Sequence, residues 1–138
     1  MPVKRKKVKR FVIDVNTLIT IFITRKTDWL QTYVIQNALE IFIDNNLVEE
    51  LARVLDYPKI KKWLPLNKRS YLTLVHSIST FVLAEGFDVQ CPDPEDYYLY
   101  NLALYVNAKL LVSGEKALLE WQKSPVETIS LSKFKELF

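Results

Sequence analysis

Short apolar runs alternate with longer amphipathic stretches along most of the chain. These runs are rich in β-branched and aromatic residues and lack a strict alternation of polar and apolar positions, which is typical of strands buried on both faces. The runs are VKRFVID, LEIFID, KLLVS and VETISL. Because helical patterns separate them, the sequence predicts an α/β fold, a three-layer α/β/α sandwich around a short, mostly parallel central sheet.

The helical stretches carry capping side chains and stop signals. The predicted caps are Thr27 or Asp28, Asn45 or Asn46, Asn67 and Ser132. Pro58 is predicted to end the helix LVEELARVLDY, because the residue before a proline disfavours helical geometry. Gly86 is predicted to stop a single long helix that begins at Asn67.

Composition narrows the function classes. The length suits one domain over residues 1–138, in which residues 1–7 form a basic tail. One histidine and one cysteine cannot supply the usual ligands of zinc, and with two glycines there is no glycine-rich phosphate loop. The single cysteine excludes an internal disulfide and suits a cytoplasmic location. The longest apolar stretch, residues 11–24, contains Asp14 and Asn16 and is too short to cross a membrane.

Positive charge is concentrated in two places. The first ten residues hold six Lys or Arg and no acid, although the net charge of the whole chain is only +3. A second basic run, KIKK, follows Pro58. Such runs can contact nucleic-acid phosphates, although a solvated surface is the simpler interpretation of the tail. The candidate nucleic-acid-binding residues are Lys4, Arg5, Lys6, Lys7, Lys59, Lys61 and Lys62.

Acidic residues stand near the predicted ends of several elements. Asp14 follows the first strand and Glu115 follows the KLLVS strand, so both are expected at the carboxyl rim of the sheet, where such folds bind ligands. Glu50 lies on a predicted helix and Asp96 in the first turn of another, which Asp93 is predicted to cap. Each of these acids alone also suits a helix start. Together they would repel one another unless a divalent cation were present, and an oxygen-only ligand set suits Mg²⁺ or Mn²⁺.

Three segments in this order resemble the PIN-domain ribonucleases, especially the compact VapC-type toxin-like branch. The resemblance covers nearly the whole chain. The segments are VIDVNTLI, LVEELARVLDYPKIKKWL and CPDPEDYYLYNLALYVNAKLLVSGEKALL. The resemblance implies a small α/β/α domain that cuts single-stranded RNA with Mg²⁺ or Mn²⁺. It also implies that the protein is the toxin of a type II toxin–antitoxin pair, with RNA and an antitoxin protein as partners, and that it forms a homodimer.

The same resemblance implies roles for individual residues. The residues implied to be catalytic and to bind the metal are Asp14, Glu50, Asp96 and Glu115. Asn16, Thr17 and Ser113 are implied to support Asp14. Asp93 belongs to the Asp-Pro motif of the branch, and its implied role is structural support.

Two departures from the family pattern weaken the expected activity. Glu115 stands where the family usually has Asp, and its extra methylene moves the carboxylate by roughly 1.5 Å. Tyr97 and Ala117 stand where related sequences often carry acids. Two other functions therefore remain open: a PIN-like module that binds RNA or a protein without cutting, and a metal phosphatase or small nucleotide hydrolase.

Overall fold

The computed structural model describes residues 9–86 and 89–138. Five strands form one sheet in the order β3-β2-β1-β4-β5, and every pairing is parallel. The strands are β1 (Arg10–Ile13), β2 (Glu40–Ile43), β3 (Ser79–Phe81), β4 (Leu110–Val112) and β5 (Glu127–Ile129). The α/β/α class predicted from the sequence is confirmed, and the described sheet is parallel throughout.

Eight α-helices connect or follow these strands in the described part of the chain. They are α1 (Val15–Ile23), α2 (Thr27–Gln36), α3 (Asn45–Leu55), α4 (Pro58–Lys61), α5 (Lys68–Ile78), α6 (Tyr97–Tyr105), α7 (Lys116–Leu119) and α8 (Leu131–Lys135). A 3₁₀ turn, Pro94–Asp96, leads directly into α6. Within residues 9–86 and 89–138, no helix is long and apolar enough to cross a membrane.

The strand order reverses direction beside β1. The chain adds β2 and then β3 on one side of β1, and it returns to add β4 and β5 on the other side. Because parallel crossovers are right-handed, the connections before and after this reversal cover opposite faces of the sheet. A crevice therefore opens beyond the carboxyl ends of β1 and β4, which is the usual ligand site of such sheets.

A cluster of aromatic side chains joins the end of the described chain to the sheet. The Phe134 ring on α8 is fully buried and lies edge-on to Phe11 of β1 and to Tyr33 of α2, with ring centroids 5.0 and 5.2 Å apart. The Tyr33 hydroxyl donates a hydrogen bond to the Phe134 carbonyl. This cluster fastens α8 against β1 and α2.

Two predicted caps are wrong by one or two residues. Asp44 caps α3 instead of Asn45 or Asn46, and Ser130 caps α8 instead of Ser132. In both cases the capping side chain accepts a hydrogen bond from the amide three residues later. The strands end earlier than the sequence pattern suggested, so each helix begins earlier as well.

The start of α2 also differs from the prediction, whereas the start of α5 confirms it. Lys26 precedes α2 and makes no side-chain capping bond, while Thr27 and Asp28 both lie in the first turn. Asp28 there interacts favourably with the positive end of the helix dipole. Asn67 caps α5 as predicted, through a 2.9 Å hydrogen bond from the Ser70 amide.

The predicted helix from Asn67 to Gly86 is also wrong, because α5 stops at Ile78. Residues Ser79–Phe81 leave the helix and form the edge strand β3. The Ser79 hydroxyl donates to the carbonyl of Val75, which satisfies a backbone acceptor at the helix end. Because the edge strand is largely exposed, it lacks the apolar pattern of a buried strand.

Non-glycine residues with positive φ lie between a helix and the following strand at two places. Ala38 (φ 52°) follows α2 and precedes β2, and Asn107 (φ 57°) follows α6 and precedes β4. Glycine is the usual residue at such a closing position, because a Cβ atom disfavours the left-handed conformation.

Replacing Phe134 by alanine is expected to lower the free energy of unfolding by about 3–5 kcal/mol, because it removes a fully buried ring from the aromatic cluster. Urea denaturation measures this change. Phe81→Ala on the edge strand is the matched control, since Phe81 is 45% exposed and should cost less than about 1 kcal/mol. Equal losses in the two variants would contradict the packing described for α8.

Candidate metal centre

Asp14 lies at the junction of β1 and α1, as predicted. Its amide donates to the Val112 carbonyl of β4 at 3.0 Å, so the strand pairing continues through Asp14. Its carboxylate caps α1, because Oδ1 accepts from the Thr17 amide at 2.8 Å. The other oxygen, Oδ2, accepts from the Ser113 hydroxyl at 2.5 Å. Asp14 and Ser113 are both buried, so this carboxylate is held in one orientation.

Ser113 links two of the predicted acids. Its hydroxyl donates to Asp14, and the same oxygen accepts a hydrogen bond from the Glu115 amide at 3.1 Å. The backbone of Ser113 pairs with Ile129 of β5 at 2.9 Å. A rigid position in the sheet therefore sets where Asp14 and Glu115 lie relative to each other.

Three carboxyl groups converge at this rim. Asp93, Asp96 and Glu115 each offer one carboxylate oxygen, and these oxygens all lie within 4.8 Å of one another. Asp93 also caps the 3₁₀ turn as predicted, accepting from the Glu95 amide at 3.0 Å. The structure thus brings together Asp96 and Glu115 from the predicted set and adds Asp93, whose predicted role was structural.

Asp96 is both buried and close to the other acids. Burial raises its pKa to about 8, helped by a hydrogen bond with Glu115 and by the negative charges of Glu115, Asp93 and Asp14. Asp14 is therefore close enough to act on Asp96 electrostatically. One oxygen of Asp96, Oδ2, is buried and has no hydrogen-bond donor among the described residues. The carboxyl group of Asp96 can share a proton with Glu115 only while one of the two acids is protonated. A cation is the group that would satisfy such an oxygen while removing the repulsion.

Glu50 lies outside the three-carboxylate group and is held by a tyrosine and an arginine. The Tyr98 hydroxyl donates to Glu50 Oε2 at 3.1 Å, and Arg53 donates to Oε1 at 3.2 Å. Tyr98 is buried, and its pKa is raised first by burial and then by the charges of Glu50, Asp14 and Asp96. Tyr98 therefore contacts Glu50 directly and is close enough to Asp14 and Asp96 for their charges to act on it.

Sequence reasoning missed this role of Tyr98. Three tyrosines stand close together at the start of α6, and nothing in the sequence distinguishes Tyr98 from Tyr97 and Tyr100. In the structure Tyr97 is 48% exposed, whereas Tyr98 and Tyr100 are buried. Only the rotation of α6 about its axis decides which tyrosine meets Glu50.

An acid at the end of β2 was also missed. Asp44 is buried and caps α3 as Asp14 caps α1. Burial raises its pKa, while hydrogen bonds with Leu47 and Asn46 oppose the rise. The available signal was the repeated pattern RFVID and LEIFID, in which an apolar strand ends in Asp.

The support that Asn16 was expected to give Asp14 stays a prediction. The Asn16 side chain is exposed, and its backbone carbonyl accepts from the Thr20 hydroxyl at 3.0 Å. The two hydrogen bonds to the Asp14 carboxylate described above come from Ser113 and from the Thr17 backbone. Of the predicted RNA-binding residues, Lys59, Lys61 and Lys62 are exposed; Lys4, Arg5, Lys6 and Lys7 lie outside the described residues.

The donor set fits a hard divalent cation. Carboxylate oxygens are the ligands that Mg²⁺ and Mn²⁺ prefer, and the cluster combines crowded negative charge with a buried oxygen that lacks a donor. Asp14 is not one of these three carboxylates, but its charge acts on Asp96 and Ser113 orients its carboxylate. We conclude that this rim can hold a divalent metal ion.

Asp96→Asn is expected to stabilise the metal-free protein at high pH. Because the folded pKa of Asp96 is about 8 and its ordinary value is 3.8, the folded state binds this proton more tightly than the unfolded state. Stability should therefore fall as pH rises between these two values, and the substitution should flatten that fall. Melting temperature measured against pH in a chelator tests this.

The unchanged protein is expected to show a higher melting temperature with Mn²⁺, and the same variant should reduce this rise because it removes a candidate carboxylate ligand. Glu127→Gln is the control, since Glu127 is an exposed acid on β5 outside the cluster. A pH profile that Asp96→Asn leaves unchanged would contradict the electrostatic description of the site.

Comparison with known proteins places these features in a family. A family model described as a PIN domain matches residues 10–117, which include the described acids and both strands beside the crevice. No curated protein matches the chain. PIN domains are generally nucleases and typically use divalent metals, in agreement with an acidic cluster able to bind one. The chain belongs to the PIN-domain family.

Proposed function

We propose that this protein is a metal-dependent endoribonuclease that cleaves single-stranded RNA. The observation that carries the proposal is the acid cluster of Asp93, Asp96 and Glu115, next to Asp14, at the carboxyl rim of a PIN-family sheet. The exposed lysines of α4 support an RNA substrate over an uncharged one.

Each residue of the site has a distinct part in the proposed reaction. Asp14, Asp96 and Glu115 would hold Mg²⁺ or Mn²⁺, with Asp93 completing the carboxylate set. When bound, such an ion polarises a phosphodiester and makes a water molecule more acidic. Glu50 would orient the attacking water. As the water oxygen bonds to phosphorus, the opposite bond from phosphorus to the leaving ribose oxygen breaks, and the proton that the water loses passes through solvent to that oxygen.

Two neutral side chains keep these acids in position. Ser113 fixes the Asp14 carboxylate by donating to Oδ2, and Tyr98 fixes Glu50 by donating to Oε2. Groups that orient metal ligands are important because an ion tolerates little error in ligand position. Ser113 and Tyr98 are therefore positioning residues, and the carboxylates do the chemistry.

The replacement of the usual Asp by Glu115 is compatible with activity. A Glu115 oxygen lies within 4.8 Å of an oxygen from Asp93 and from Asp96, so the longer side chain still reaches the cluster. Its backbone is held by the hydrogen bond to Ser113. We infer that the Glu115 side chain adopts a conformation that compensates for its extra methylene, so that its carboxylate can still bind the metal.

A toxin role is the finer part of the proposal. It rests on the resemblance to the VapC-type branch and includes an antitoxin protein as partner, a homodimer and a cytoplasmic location. Homodimer formation and antitoxin binding are both open to a sedimentation measurement of the purified protein.

Asp14→Asn is expected to lower the rate of Mn²⁺-dependent RNA cleavage by more than about 100-fold, because it removes the charge of a proposed metal ligand. Ser113→Ala should cost less, about 10–100-fold, as is usual for residues that orient metal ligands. Cleavage of an end-labelled single-stranded RNA measures both rates. Asp28→Asn, an exposed acid on α2, is the control.

Intact RNA after incubation of the unchanged protein with Mn²⁺ or Mg²⁺ would overturn the nuclease proposal. Salt-sensitive RNA binding without cleavage would then favour a binding module. Release of phosphate from mononucleotides alone would instead favour a small nucleotide hydrolase.

Expression of the unchanged protein in bacteria is expected to arrest growth if it is a toxin, because uncontrolled RNA cleavage stops translation. The Asp14→Asn variant, produced to the same level, should allow normal growth. Colony counts and growth curves after induction measure the difference. Arrest by both variants would mean that the toxicity does not come from this site.

A further inference from the structure

One long stretch of the chain carries only positive charge. None of the 16 Asp and Glu residues lies between positions 57 and 84. We call residues 57–84, which include α4 and α5, the basic segment. Its cations are Lys59, Lys61, Lys62, Lys68 and Arg69. These five cations therefore lie on a segment that contains no acid, although Asp56 immediately precedes it.

Local contacts bring α4 and the start of α5 together. Lys68 of α5 pairs with Asp56, which precedes α4, at 2.6 Å. The pKa of Asp56 is lowered first by the hydrogen bond from Lys68 and also by the charges of Lys68 and Lys61. The Leu66 amide donates to the Tyr71 hydroxyl at 3.3 Å, which folds the intervening loop onto α5. Cations from both helices therefore lie in one patch.

This patch includes an exposed tryptophan. Trp63 is 59% exposed, and the Lys62 ammonium lies 5.5 Å from its ring centroid. The other two tryptophans are packed against tyrosine rings: Trp29 stacks on Tyr33, and Trp121 lies edge-on to Tyr100. Trp63 therefore leaves much of a flat apolar ring accessible among cations.

A shallow groove extends the patch along α5. It has a volume of about 360 Å³ and is lined by Lys68, Arg69, Leu72, Thr73 and His76. These residues follow helical spacing, so they share one exposed face of α5. The groove therefore runs along α5 from Lys68 to His76.

The basic segment begins within two helical turns of Glu50. Glu50 and Asp56 are six residues apart at the end of α3, a rise of roughly 9 Å along a helix axis. Helix α3 also contacts both α4 and α5. A flexible ligand lying on the basic segment could therefore extend to Glu50.

We propose that the basic segment is a binding face for single-stranded RNA, on which one base stacks on Trp63 while Lys59, Lys62 and Arg69 contact phosphates. This proposal rests on the proposed nuclease function, because it gives the route by which the substrate reaches the site. Single strands alternate flat bases with charged phosphates, and an exposed indole among lysines matches both. A duplex would hide its bases from Trp63.

The test measures binding with no divalent metal, using the full-length Asp14→Asn protein and a fluorescently labelled 12-nucleotide single-stranded RNA. Trp63→Ala should weaken the affinity by about 5–150-fold, as the loss of 1–3 kcal/mol of stacking implies. The dependence of affinity on salt should stay unchanged. Tyr105→Ala is the matched control, because Tyr105 is 47% exposed on α6, outside the basic segment.

Removing a phosphate contact should instead change the salt dependence of RNA binding. Lys59→Gln is expected to reduce the slope of log affinity against log salt by about 0.7, the value for one cation on a single strand. Lys123→Gln, an exposed lysine outside the basic segment, should leave the slope unchanged. RNA should also change the fluorescence of the Asp14→Asn protein, and Trp63→Phe should remove most of that change.

The outcomes separate this proposal from the nuclease proposal. Equal RNA affinities for Trp63→Ala and Tyr105→Ala would overturn the binding face, whether or not the unchanged protein cleaves RNA. Binding that depends on Trp63 and Lys59 in a protein that never cleaves would uphold the binding face and reject the nuclease. Binding of poly-glutamate in preference to RNA would overturn the face in favour of an acidic protein partner.

Discussion

Repulsion between carboxylates at one rim is the constraint on which the rest of this site depends. Three acids from two separate segments present oxygens within 4.8 Å of one another, and Asp14 acts on the same group. A metal-free protein must retain protons on this cluster or lose stability, so the fold has to be stable enough elsewhere to tolerate it. The buried parallel sheet and the aromatic cluster around Phe134 provide that stability, because both lie in the core.

The parts of the structure that follow from local pattern were predictable. Asp14, Ser113 and Glu115 could be placed because each follows an apolar strand, and parallel strands end at the same rim. The Asp-Pro pattern likewise predicted that Asp93 caps the turn before α6. The nearness of Asp93 to Glu115 was not predictable, because it depends on how α6 packs across β1 and β4.

The errors have physical causes of the same kind. The caps of α3 and α8 were displaced because the last residue of a strand can equally be the first capping residue of the helix that follows. Strand β3 was missed because it is short, exposed and continuous with α5. Tyr98 was missed because the rotation of α6, rather than the sequence, selects one tyrosine among three. Each error concerns an element whose position is decided by packing instead of periodicity.

The two ends of the sheet carry different kinds of unfavourable energy. At the carboxyl ends the cost is electrostatic and can be relieved by a ligand, whereas at the amino ends it is conformational and lies in the left-handed residues that close α2 and α6. A side chain with a Cβ atom is disfavoured there by about 1–2 kcal/mol, and asparagine tolerates it better than alanine does. The backbone at Ala38 is therefore strained, at a position away from the acid cluster. Glycine at that position would remove the strain and raise the free energy of unfolding, while the acids at the opposite rim stay unchanged.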